Sequence, residues 1–244
     1  MAVLLDSGLE HYRGSFRNPA MLLPLAASGV NIGFEGTRLM NGRAVTHPAA
    51  RLAGQGGAMT VGLLGVGFHL FNINKRPGGF GWSNLFHAAP LGAPASLILA
   101  GALGAAADRL DRSFISDGRA VATICAIGIF GTTAEAALLH FRGAFQNSAM
   151  WLPVTVPPLA AMSLAADVIG RQPRAATTAL LVMTAALGFV GAAFHAYGVS
   201  RRMGGWRNWR QNLLAGPPLP APAAFTGLAV AGLGALMLIG RDYG

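Results

Sequence analysis

The chain has 244 residues, 53% hydrophobic and only 11% charged, with a mean hydropathy of +0.48. That is less than half the charged fraction of an ordinary soluble domain and points to a membrane protein. The formal charge of +9 is spread over short connections, which argues against nucleic acid and for anionic lipid headgroups or an acidic partner subunit.

The opening MAVLLDSGLEH lacks a basic start and is interrupted by Asp6, so no cleavable leader is expected. Apolar stretches then follow near 20 to 40, 53 to 74, 91 to 108, 119 to 141, 149 to 169, 176 to 199 and 221 to 240. Each approaches the roughly 20 residues that cross about 30 Å of hydrocarbon. The expected fold is an all-α, multi-pass integral membrane protein of about seven transmembrane helices, set in a bacterial inner membrane. Cys125, the single cysteine, falls inside a span, so no internal disulfide can form.

The seven spans are not independent. HYRGSFRNPAMLLPL, starting at His11, returns as HFRGAFQNSAMWLPV, starting at His140, with nine of fifteen positions identical. GLLGVGFHLFNINKRPGGFGW, from Gly62, is echoed by GFVGAAFHAYGVSRRMGGWRNW, from Gly188, and Asn84, Pro90, Leu91, Ala93 and Pro94 return as Asn212, Pro218, Leu219, Ala221 and Pro222. The offsets are 129, 126 and 128 residues, so the motifs keep register while loop lengths drift. Two tandem repeats of a four-helix unit are expected, residues 1–112 and 113–244, the first helix of repeat 1 being truncated. A unit with an even number of crossings makes the copies parallel, and both motif pairs then converge on one side of the membrane. With nine Lys and Arg on each side, the sequence assigns no orientation.

Four of the six histidines obey the duplication, His11 with His140 and His69 with His195. Gly62 and Gly65 precede His69 by seven and four residues, and Gly188 and Gly191 precede His195 identically, so these glycines share a helix face with their His. Two uses of that face compete: a groove for a flat ligand such as haem b or a quinone, or close packing of membrane helices. In the HYRG block, Gly14 and Gly143 suit a turn and Asn18 and Asn147 suit N-caps. His11, His140, Arg13 and Arg142 remain unexplained by a turn, and Arg beside His would bind a carboxylate, a phosphate or a quinone carbonyl. Asp6 and Glu135 occupy equivalent places, and Glu135 stands in an otherwise apolar span as a candidate proton acceptor.

The loops KRPGGFGW and RRMGGWRNW read either as interface anchors or as docking sites for a partner subunit. Phosphate-loop, HExxH, CxxC and GxSxG motifs are absent, and Lys75, the only lysine, lies in a loop, which excludes a Schiff base within a span.

The leading expectation is a membrane redox subunit that holds haem b or quinone through His11, His69, His140 and His195, with Glu135, Arg13 and Arg142 as acid-base and binding groups and a dehydrogenase as partner. Three alternatives stand beside it: a small transporter or channel, an enzyme using the same four histidines as metal ligands, and an anchor subunit without chemistry of its own.

Overall fold

The computed structural model of the protein describes residues 1–41, 47–110 and 118–243, and every regular element among them is helical. Helix α1 (Ala2–Arg13) leads through a 3-10 turn (Pro19–Leu22) into α2 (Leu23–Asn41), followed by α3 (Pro48–Asn74), the short α4 (Trp82–His87) and α5 (Gly92–Leu110). The second half opens with α6 (Gly118–Arg142) and a 3-10 turn (Ser148–Trp151) before α7 (Leu152–Gly170) and α8 (Ala175–Ser200). A further 3-10 turn (Gly205–Asn208) then leads into the short α9 (Trp209–Ala215), and α10 (Ala223–Tyr243) closes the chain's described part.

Among the described residues, five helices are long and apolar enough to cross a membrane: α3, α6, α7 with its preceding turn, α8 and α10. Seven such spans were expected. The apolar part of α5, Gly92–Asp108, is shorter, and α2 carries Asn31, Glu35 and Arg38. Leu63, Leu64 and Phe68 on α3 and Phe189 on α8 point outward, an apolar surface that water would penalise and lipid tails would not. The chain is a multi-pass helical membrane protein.

Packing follows the chain order. Helix α3 lies on α5 and α8 on α10, α1 contacts α2 and α6 contacts α7, and α5 also touches α6. The main apolar core belongs to α6, α7, α8 and α10, where Ala122, Cys125, Ile129, Leu164, Leu181 and Ile239 are buried.

The turns after α1 and α6 share one geometry. Asn18 and Asn147 each accept a backbone N–H through the side chain, from Ala20 and Ala149, at 2.9 Å. The turn itself is carried not by glycine but by Ser15 and Phe16, and by Ala144 and Phe145, all at positive φ. Gly14 has an ordinary φ of −78°. It is glycine for a steric reason, since a Cβ there would meet the Met21 methyl at 2.8 Å, and one at Gly143 would meet that of Met150 at 3.1 Å. Left-handed conformations cost about 1 kcal/mol or more for a residue with a side chain. Bonds from Phe16 N–H to the His11 carbonyl (3.1 Å) and from Phe145 N–H to the His140 carbonyl (3.0 Å) hold them in place.

Candidate functional site

The turn geometry fixes the first pair of histidines. His11 Nδ1 donates to the Met21 carbonyl at 2.6 Å, and His140 Nδ1 donates to that of Met150 at 2.9 Å. Phe16 and Phe145 set their ring edges against these imidazoles, with centroids 6.2 and 6.1 Å apart. His69 and His195, near the ends of α3 and α8, are held likewise: Nδ1 donates to the Pro90 carbonyl at 2.5 Å and to the Pro218 carbonyl at 2.6 Å. A carbonyl can only accept, so Nδ1 carries a proton, and in the neutral ring Nε2 keeps the lone pair. No described residue bonds to those four Nε2 atoms. His69 lies within electrostatic reach of His11, and His140 of His195, so the histidines group as one pair per half. Burial pulls His11 below its usual pKa, which favours the neutral ring.

Among the described residues no group of three or more His, Cys, Asp or Glu is arranged to hold a metal ion.

The glycine faces are occupied by protein. A Cβ at Gly62 would strike the Pro94 carbonyl at 2.8 Å and one at Gly65 the Pro94 ring at 2.9 Å. On α8, Gly188 stands 2.8 Å from the Pro222 carbonyl by the same measure, and Gly191 2.8 Å from the Pro222 ring. Helices α5 and α10 fill the space that a flat ligand would need, so these four glycines serve close helix approach.

Arg13 and Arg142 cross between the halves. The Arg13 guanidinium donates to the Leu213 carbonyl at 2.9 Å and to the Gly216 carbonyl at 2.8 Å at the end of α9, and to Glu10 at 2.6 Å. Arg142 reaches the other way, to the Phe86 carbonyl in α4 at 2.9 Å. Both therefore bring orphan helix-end carbonyls a charged donor.

Between these crossings the carboxylates gather. Glu135 accepts the backbone N–H of Gly92 at the start of α5, where a helix N-terminus favours negative charge. Glu10 and Glu135 both bear on Asp6, whose carboxyl is pushed up to about 7, by burial first and by these neighbours second, against the pull of Arg13. Arg13 also acts on His195. Asp6, Glu10, Arg13, Glu135 and the histidine pairs thus form one chain of ionisable groups at the end of the bundle where the halves meet.

Two contributors escape a sequence reading based on duplication. Glu10 has Leu139 at the equivalent place, and only its spacing three residues before Arg13 hints at the ion pair. The other is a cluster at the far end of α5: Asp108 accepts from Arg51 Nε at 3.1 Å and from Gln55 Nε2 at 2.9 Å, with Arg38 alongside at 3.5 Å.

No protein family, curated protein or solved structure matches this chain. Its class is set by the fold alone, that of a helical multi-pass membrane protein.

Proposed function

We propose that the chain is a small transporter or channel built from two parallel four-helix repeats, residues 1–112 and 113–244, and that protons pass through the carboxylates at the repeat junction. The observation that carries this reading is the convergence of Asp6, Glu10 and Glu135, three of only nine acidic residues in the chain, on one another and on Arg13. Carboxylates are costly inside a bilayer and mark ion or proton routes when they gather there. Parallel repeats put such groups at their interface. Supporting the repeat are the paired His–carbonyl tethers, the paired Asn caps and the two opposed arginine crossings.

In this reading Asp6, whose carboxyl is pushed up to about 7, takes a proton from the headgroup side and shares it with Glu135, while Arg13 pairs with Glu10 and offsets part of the cluster's negative charge. Purified protein in liposomes loaded with a pH-reporting dye, driven by a potassium diffusion potential, tests it. Wild type should acidify or alkalinise the lumen faster than protein-free liposomes, and Glu135→Gln and Asp6→Asn should fall to the protein-free rate. Wild type no faster than empty liposomes refutes the reading.

A second reading draws on a different observation, the four Nδ1-tethered histidines with unbonded Nε2 lone pairs. Such tethering orients imidazole for a haem iron or for a quinol hydroxyl. A redox subunit would use the pairs His11 with His69 and His140 with His195, and a partner dehydrogenase would dock on the loops after α3 and α8. A Soret band or extracted quinone lost in His69→Ala and His195→Ala distinguishes this reading from proton translocation.

A further inference from the structure

The cations that follow α8 differ in their pairing from those at the opposite end of the bundle. At the end away from the histidines, Arg38 and Arg51 pair with Asp108, Arg38 also with Glu35, and Arg174 with Asp167. At the histidine end, the segment from Ala196 to Ala223 contains Arg201, Arg202, Arg207 and Arg210 and no acidic residue. The guanidiniums of Arg202 and Arg207 make no hydrogen bond or ion pair with any described residue. Among the described residues, Arg201 meets only Tyr197, its guanidinium 5.7 Å from the ring, and Arg210 only Trp209, at 5.9 Å. All four arginines are exposed.

This segment is a built surface. Gly204 and Gly205 reverse the chain at φ of 78° and 51°, values that L side chains rarely adopt. The buried Asn212 side chain then clamps the reversal, donating to the Met203 carbonyl at 3.2 Å and the Gly205 carbonyl at 2.7 Å. Trp206 and Trp209 are about half exposed beside the arginines, directly beyond the end of the apolar α8. Trp at that depth marks the headgroup level of a bilayer. The matching loop after α3 repeats the glycine reversal and the Asn clamp, through Gly78, Gly79 and Asn84, but carries only two cations, of which Arg76 is bonded to the His87 carbonyl at 3.3 Å and Lys75 lies over Phe71.

We infer that the RRMGGWRNWR platform, residues 201–210, binds the phosphate groups of anionic phospholipids. Cations without an internal counter-charge, held by a clamped backbone at headgroup depth, need an external anion, and lipid phosphate is the anion present there. Arg presents a fork of donors that matches phosphate oxygens, and the Trp rings fix the platform's height. The inference stands apart from the proton reading, since none of its residues belongs to the carboxylate cluster.

Native mass spectrometry of the detergent-purified chain with equal amounts of phosphatidylglycerol and phosphatidylcholine of the same acyl chains tests it. Wild type should retain phosphatidylglycerol preferentially. The double variant Arg202→Gln/Arg207→Gln should lose that preference by roughly an order of magnitude, Arg202→Lys/Arg207→Lys should keep part of it, and Arg76→Gln should leave it unchanged. Circular dichroism on each variant checks that the helices persist. Equal retention of the two lipids by wild type would overturn the inference, as would an unchanged preference in the folded double variant. So would displacement by inorganic phosphate at matching concentration, or a preference that requires a co-purified acidic protein.

Discussion

Helix α3 packs on α5 and α8 packs on α10, yet the two interfaces are filled with opposite chemistry. Gly104 of α5 faces Gln55 of α3, while Gly232 of α10 faces Leu181 of α8. Around Gln55 stand Arg51 and Asp108; at the corresponding places in the second half stand Thr177 and Leu236, buried with Leu181. Two helix pairs at equivalent sequence positions therefore hold an ion pair in one half and an apolar core in the other. The ionic version leaves Gln55 Oε1 buried without a partner among the described residues, a desolvation penalty that the apolar version avoids.

The largest effect should come from breaking this contrast on one side only. Asp108→Ala leaves Arg51 buried without its carboxylate, and an expected loss of about 3–5 kcal/mol should appear in detergent unfolding. Importing the second half's solution, Arg51→Thr/Gln55→Leu/Asp108→Leu, should recover most of that loss, because buried pairs exchange for apolar residues at little net cost. A triple variant as unstable as Asp108→Ala would show that the halves are not interchangeable.

The arginine crossings offer the next test. Arg13 donates to two carbonyls and Glu10, whereas Arg142 makes a single, exposed bond. Arg13→Ala is expected to cost about 2–3 kcal/mol and Arg142→Ala less than about 1 kcal/mol. Equal losses by thermal unfolding would contradict the difference in bonding.

Gly62→Ala and Gly188→Ala sharpen the comparison in the other direction, because here the halves should agree. Each places a methyl against backbone atoms of the facing helix, Pro94 or Pro222, and should cost about 1–3 kcal/mol. Gly67→Ala has open space around its Cβ and should be neutral or stabilising by up to about 1 kcal/mol. Its failure to separate from Gly62→Ala in melting temperature would remove the steric account.

The last effect is a matter of pH. The folded Asp6 carboxyl, near 7, binds its proton more tightly than the unfolded chain does, so stability falls as pH rises from the usual carboxylate range toward 7. Asp6→Asn abolishes that dependence and should be more stable than wild type at pH 8, with the gap closing at about pH 4. Parallel stability profiles for the two proteins would exclude the shift. The groups facing Asp6 are Glu10, Glu135 and Arg13, so Glu10→Gln should shrink the same dependence.

Membrane class was legible because composition and apolar length are properties of the chain itself. So were the paired Asn caps, since an Asx side chain bonds backbone two residues on and needs no distant partner. The duplication picked out His11, His69, His140 and His195, and each proved to be tethered through Nδ1. What the tethers reach, the carbonyls of Met21, Pro90, Met150 and Pro218, carries no side-chain signature and could be found only in three dimensions. Spacing could show that Gly62 and Gly65 share a face, but a bare helix face accepts a ligand or another helix equally, and only the fold put α5 against it. Arg13 ties to residues about 200 positions away, and long-range partners leave no local pattern. The chain's own chemistry dictated that helices form in a membrane; their tertiary packing decided which polar groups are joined, because backbone carbonyls and neighbouring charges acquire identity only when distant segments meet.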